Sequence, residues 1–190
     1  METLLDFETK SLEELESYIN EEGFRWACEN GHLEVAQWLL SIKKSDIDIL
    51  QYIEDKNVLA RTCSEGHLDV AKWLLLMFPD INISDDEEVV FRWTCERGQL
   101  EVAKWLLSVK PDIEIDINDE WIFKLACKYK HLEVAKWLLS VKPDIEIGTG
   151  NFIIFKDACK NGHLEVAKWL FSAKSTFDYS IYNQNEDENE

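Results

Sequence analysis

Five cysteines and four histidines are the residues of this chain best suited to bind metal or to serve as nucleophile and base. The thiols are Cys28, Cys63, Cys95, Cys127 and Cys159, and the imidazoles are His32, His67, His131 and His163. A structural zinc site pairs its ligands closely in sequence, and no two cysteines here lie two residues apart as such a site needs. The cysteines instead follow one another at 35, 32, 32 and 32 residues. Helices stacked in register stand roughly 8–10 Å apart, while a disulfide needs α-carbons within about 7 Å. The set is also odd in number. These thiols therefore read as small core residues packed against Ala27, Ala126 or Ala158. In the third copy Gln99 stands where the others have histidine. Glutamine shares histidine's ability to donate a hydrogen bond, not its use as metal ligand or base, so the place is assigned to a turn hydrogen bond. No histidine has a nucleophile arrangement within local reach, and no loop has the oxygen spacing of an EF-hand. The sequence gives no catalytic residue, no metal ligand and no cofactor.

The spacing belongs to a longer repeat. Ten residues recur five times: GHLEVAQWLL from Gly31, GHLDVAKWLL from Gly66, GQLEVAKWLL from Gly98, KHLEVAKWLL from Lys130 and GHLEVAKWLF from Gly162. A period in the low thirties marks a stack of short units, each covering its neighbour's apolar face. Val70, Ala71, Leu74 and Leu75 follow the buried stripe of a helix. Glu101 with Lys104, Glu133 with Lys136 and Glu165 with Lys168 fall three apart on the wet side. The glycine before the motif suits a left-handed residue closing a preceding helix such as Val89–Cys95. Downstream, Asp80-Ile81-Asn82-Ile83, Asp112-Ile113-Glu114-Ile115 and Asp144-Ile145-Glu146-Ile147 alternate with period two, as a short strand does. Pro79, Pro111 and Pro143 stop the helix before each.

Helix, Gly-His-Leu-Glu-Val, helix and extended finger together resemble the ankyrin repeat across essentially the whole array. The Ala-Lys-Trp-Leu-Leu and Pro-Asp-Ile-Glu-Ile style resembles the divergent ankyrin proteins of giant DNA viruses and amoebae. The resemblance implies an all-α ankyrin-repeat solenoid of about five helix-turn-helix repeats with short β-hairpin fingers. Its expected organisation is a capping half-repeat at 1–18, repeats at 19–53, 54–85, 86–117, 118–149 and 150–181, and a disordered acidic tail at 182–190. The chain departs from the family where a repeat usually opens Thr-Pro-Leu-His. Here stand Val89-Val90-Phe91-Arg92 and Trp121-Ile122-Phe123-Lys124, so the hydrogen bonds of that Thr and His are not carried over.

Such arrays present a long surface to another macromolecule, so the expected function is a non-catalytic protein–protein interaction module. The formal charge is −18, and discounting the tail acids Glu186, Asp187, Glu188 and Glu190 leaves −14. That field repels phosphate backbones and anionic lipid and favours a basic protein partner, with neither nucleic acid nor membrane. The start METLLDFETK has no signal-peptide character, which points to the cytoplasm or nucleus. Framework positions repeat while others vary, and the variable ones are the candidate partner contacts. They are Trp26, Glu29, Glu65, Trp93, Arg97, Trp121, Tyr129 and Lys160, with acids expected at finger tips just before the first helices: Glu54, Asp55, Asp86, Glu87, Glu88, Asp119 and Glu120. The ladder Trp38, Trp73, Trp105, Trp137 and Trp169 is assigned to packing between repeats. The fifth repeat keeps apolar residues where a terminal cap turns polar. Self-association of an otherwise monomeric chain through that end is the alternative.

Overall fold

The computed structural model describes residues 21–42, 52–53, 57–81, 85–111, 113, 119–142 and 150–173. The chain falls into two compact units, Met1–Asn118 and Asp119–Glu190. The first contains the helices α1 Glu21–Glu29, α2 Leu33–Ile42, α3 Val58–Ser64, α4 Leu68–Met77, α5 Asp85–Glu96 and α6 Leu100–Val109. The second contains α7 Asp119–Lys128, α8 Leu132–Val141, α9 Gly150–Lys160 and α10 Leu164–Ala173. The odd-numbered helices are the first of each repeat and the even-numbered ones are the motif helices. In the first unit α3 packs on both α1 and α5, and in the second α7 packs on α9.

One turn geometry joins every pair. A helix leaves its last carbonyls without intrahelical donors, and a left-handed residue just beyond lets the chain fold back to satisfy them. Gly31 N–H donates to the Cys28 carbonyl at 3.2 Å and His32 N–H to Ala27 at 2.8 Å. The same two bonds recur at Gly66 and His67, Gly98 and Gln99, Lys130 and His131, and Gly162 and His163. The glycines have φ between 70° and 90°, and Lys130 has φ 72°. Lysine thus adopts the conformation that glycine supplies without strain elsewhere.

The turn hydrogen bond expected of these side chains is not a cap on the helix that follows. His67, Gln99 and His131 precede their helices with no side-chain cap hydrogen bond. Two of these side chains lie against the preceding repeat instead. A β-carbon on Gly31 would fall 2.4 Å from His67 Nδ1, and one on Gly66 would fall 2.5 Å from Gln99 Oε1. Glycine is therefore required twice over, by its backbone angle and by the side chain seated on it. His163 follows Lys130 rather than glycine, and its Nδ1 is buried without a hydrogen-bond partner among the described residues.

The core forms from the stripes expected, except that Leu75 is only half-buried. Val70, Ala71 and Leu74 are buried, as are Val102, Ala103 and Leu106, and Val134, Ala135 and Leu138. Two rungs of the tryptophan ladder pack between repeats: Trp73 lies 6.2 Å from Phe24 and Trp169 lies 6.1 Å from Phe123, centroid to centroid. Trp38 departs from this, being 54% exposed. Lys104–Glu101 and Lys136–Glu133 pair at 2.8 Å and Lys168–Glu165 at 3.6 Å. Such exposed pairs are worth a few tenths of a kcal/mol, ~0.3–0.5. Among the described residues no strand occurs. The expected fingers fall almost wholly outside those residues, although Ile81 and Ile113 are described and both are buried. The half-repeat at 1–18 and the tail at 182–190 also lie outside them.

The core assignment of the cysteines holds for Cys28, Cys63, Cys95 and Cys127 and fails for Cys159, which is exposed. Desolvation pushes the thiols of Cys28 and Cys127 up to about 12, and those of Cys63 and Cys95 also upward. The thiolate is the reactive form, so these four are protected. Cys159 occupies the same turn position, but in the last repeat of the array. Titration of the folded, reduced protein with a thiol reagent at neutral pH is expected to give one fast thiol, with the other four reacting only in denaturant. Five fast thiols would remove the burial argument.

Candidate functional site

The C-terminal ends of the first helices carry the residues that differ from repeat to repeat. Beside each cysteine, the phase two residues before it holds Trp26, Arg61, Trp93, Leu125 and Asp157. The phase just after it holds Glu29, Ser64, Glu96, Lys128 and Lys160. Because turn and core fix the helix ends, these side chains are set in register from one repeat to the next.

In the first unit they form a charged network. Tyr52 Oη donates to Glu22 at 3.0 Å, and Arg25 donates to both Glu22 and Glu29. The hydrogen bond to Glu22 raises the Arg25 pKa, and burial followed by the Glu22 hydrogen bond pushes the Tyr52 phenol up to about 12. Arg61 continues the chain, its Nε 3.5 Å from Glu29 and its guanidinium carbon 6.0 Å from the Trp93 ring centroid. Arg97 pairs with Glu65 at 3.4 Å. Glu29, Arg61, Ser64, Glu65, Trp93, Glu96 and Arg97 together line an open cleft of about 240 Å³. Arg61 spans it from the middle repeat. Trp26 is 48% exposed, its ring tilted 38° against that of His32 with centroids 5.0 Å apart.

Glu29, Glu65, Trp93 and Arg97 of the sequence-derived set are thus brought together in one cleft. Arg61, Ser64 and Glu96 were missed, although Arg61 shares the phase of Trp26 and Trp93. The face is not uniformly acidic, because arginines alternate with the carboxylates. The acids Asp86, Glu87 and Glu88 do not precede their helix as expected. They stand in the first turn of α5, as Asp119, Glu120 and Trp121 stand in the first turn of α7. The first turn is the positive end of the helix dipole, where acidic residues are favoured. Glu54 and Asp55 lie outside the described residues.

In the second unit the corresponding ends carry Lys128 and Lys160, both exposed. Tyr129 is 44% exposed, with Lys128 Nζ 5.3 Å from its ring centroid. No group of three or more His, Cys, Asp or Glu able to hold a metal occurs among the described residues. No described helix is long and apolar enough to cross a membrane.

No curated protein matches the sequence. The family described as ankyrin repeats in three copies matches it over residues 24–120, 59–151 and 93–183, overlapping stretches that take in α2 to α10 and all but the first turn of α1. Together with five identical turns joining five helix pairs, this match means that the chain belongs to the ankyrin-repeat family.

Proposed function

We propose that the chain is a non-catalytic interaction module that holds a protein partner against the C-terminal ends of its first helices. Ankyrin repeats are in general protein–protein interaction modules. The observation carrying the assignment to this surface is the first-unit cleft, built from three successive repeats at variable positions over an invariant framework. Trp93 and Trp26 supply aromatic area of the kind that dominates interface energies, and Arg61 and Arg97 supply directional donors. The acids opening α5 and α7, with the net charge of −18, favour a basic segment on the partner and speed its approach.

Two variants test this against a captured partner. Trp93→Ala is expected to weaken binding by about tenfold or more, chiefly through faster dissociation. Reversing Asp86, Glu87, Asp119 and Glu120 to lysine should slow association about tenfold at low ionic strength and little at high salt. Helical circular dichroism is expected to be unchanged in both. Unaltered kinetics in both would place the contact on the motif helices or the chain ends.

A second reading rests on the fifth repeat, where Ile153, Leu164 and Phe171 are each about 60% exposed. An apolar end of that kind favours self-association. Phe171→Glu should then lower the sedimentation coefficient at high protein concentration, and a chain already monomeric there would discard this reading.

A further inference from the structure

The bulk charge of −18 conceals a local reversal of sign. The first helices of the second unit carry Lys124 and Lys128 on α7 and Lys156 and Lys160 on α9. Within each helix the two lysines are four residues apart and share a face, about 6 Å from one another. Between the helices they are 32 residues apart, the repeat itself, and α7 packs on α9. The two columns therefore stand on helices roughly 8–10 Å apart, axis to axis. Lys128, Lys156 and Lys160 are exposed and Lys124 is half-buried. Among the described residues no carboxylate pairs with Lys128, Lys156 or Lys160, whereas Lys136 and Lys168 on the motif helices each hold a glutamate. Asp157, the one acid in α9, stands three residues before Lys160, and Glu120 of α7 stands four before Lys124, so the face rests chiefly on Lys128, Lys156 and Lys160.

Helix capping does not account for the pattern. A cation in the last turn meets the negative end of the helix dipole, which suits Lys128 and Lys160. Lys124 and Lys156 lie a turn earlier, where that effect has faded. In the first unit the same last-turn positions hold Glu29, Ser64 and Glu96, so the fold itself does not demand a cation there.

We infer that the lysine face of the second unit receives a short acidic segment of a protein partner. Alternate residues of an extended segment are about 6.6 Å apart, close to the spacing of each lysine column. The exposed ring of Tyr129 at the end of α7 adds a seat for one apolar residue beside the acids. A long polyanion such as nucleic acid would run past the lysine face into a field that remains negative overall, while a short segment would not. The surface and the charge preference differ from those of the first-unit cleft, and the two fail independently.

The probe is a fluorescein-labelled peptide of alternating glutamate and serine with one leucine, titrated with the full chain and read by anisotropy. Binding is expected to weaken as salt rises and to fall about tenfold in the double variant Lys128→Glu, Lys160→Glu. It should survive in Lys128→Arg, Lys160→Arg, which keeps the charge, and in Trp93→Ala, which alters only the other cleft. A peptide with lysine in place of glutamate should not bind. Equal affinity in the wild type and the glutamate variant would overturn the inference, as would loss of binding in the arginine variant. So would tighter binding of a single-stranded oligonucleotide of equal charge. A roughly tenfold gain in peptide affinity on deleting residues 183–190 would give the face to the chain's own acidic segment instead, and would overturn it too.

Discussion

Phe123→Ala is expected to lower stability by about 4 kcal/mol, the scale measured when a buried phenylalanine is cut back to alanine. Phe123 is 1% exposed and is among the largest fully buried side chains. It sits in α7 of the fourth repeat, and its ring meets Trp169 of the fifth at 6.1 Å. The truncation therefore opens a cavity and removes an aromatic contact between repeats. In a stacked array, stability is roughly a sum of repeat and interface terms, so the loss falls first on α9 and α10. Urea unfolding followed by tryptophan fluorescence gives the measurement. Phe123→Leu, which keeps most of the volume, should cost about 1 kcal/mol. A loss below about 1 kcal/mol for the alanine variant would mean that the fifth repeat is not held through this contact.

Gly31→Ala should cost about 3 kcal/mol, and Gly162→Ala only about 1. Both positions have a left-handed backbone, φ 75° and φ 70°, so both incur the strain of a β-carbon there. They differ in what lies above. The new methyl on Gly31 would meet the His67 ring at 2.4 Å, while that on Gly162 meets nothing within 4 Å. Lys130, at φ 72°, already carries the strain, so Lys130→Gly should raise stability by about 1 kcal/mol. Equal losses at Gly31 and Gly162 would show that the histidine yields freely and that backbone strain alone sets the requirement.

Much of this architecture could be read from the residues because the local code repeats. Five copies of one decapeptide determine the helix pairs and the turn, and the left-handed place of Lys130 follows from the four glycines aligned with it. Other features depend on contacts between repeats that no single copy encodes. The seat of His67 on Gly31 is one, since within its own copy the histidine resembles a capping residue. The approach of Arg61 to Glu29 and Trp93 is another, joining residues about one period apart in three copies. Cys159 shows a third limit. Its sequence surroundings resemble those of Cys127, yet it is exposed where Cys127 is buried. The lysine face was hidden differently, by a net charge that averages over acids elsewhere in the chain.

The open space above Gly162 makes the fold extensible by design. The backbone there already has the shape of Gly31 and Gly66, the two glycines on which a following side chain rests. Grafting one more copy of the motif beyond Ala173, with histidine at its turn, would give that histidine a ready socket and cover Phe171 and Cys159 in the same step. The protein thus offers a modular scaffold whose length can be chosen. In such a lengthened chain, protection of the Cys159 thiol would report directly that the added module had docked.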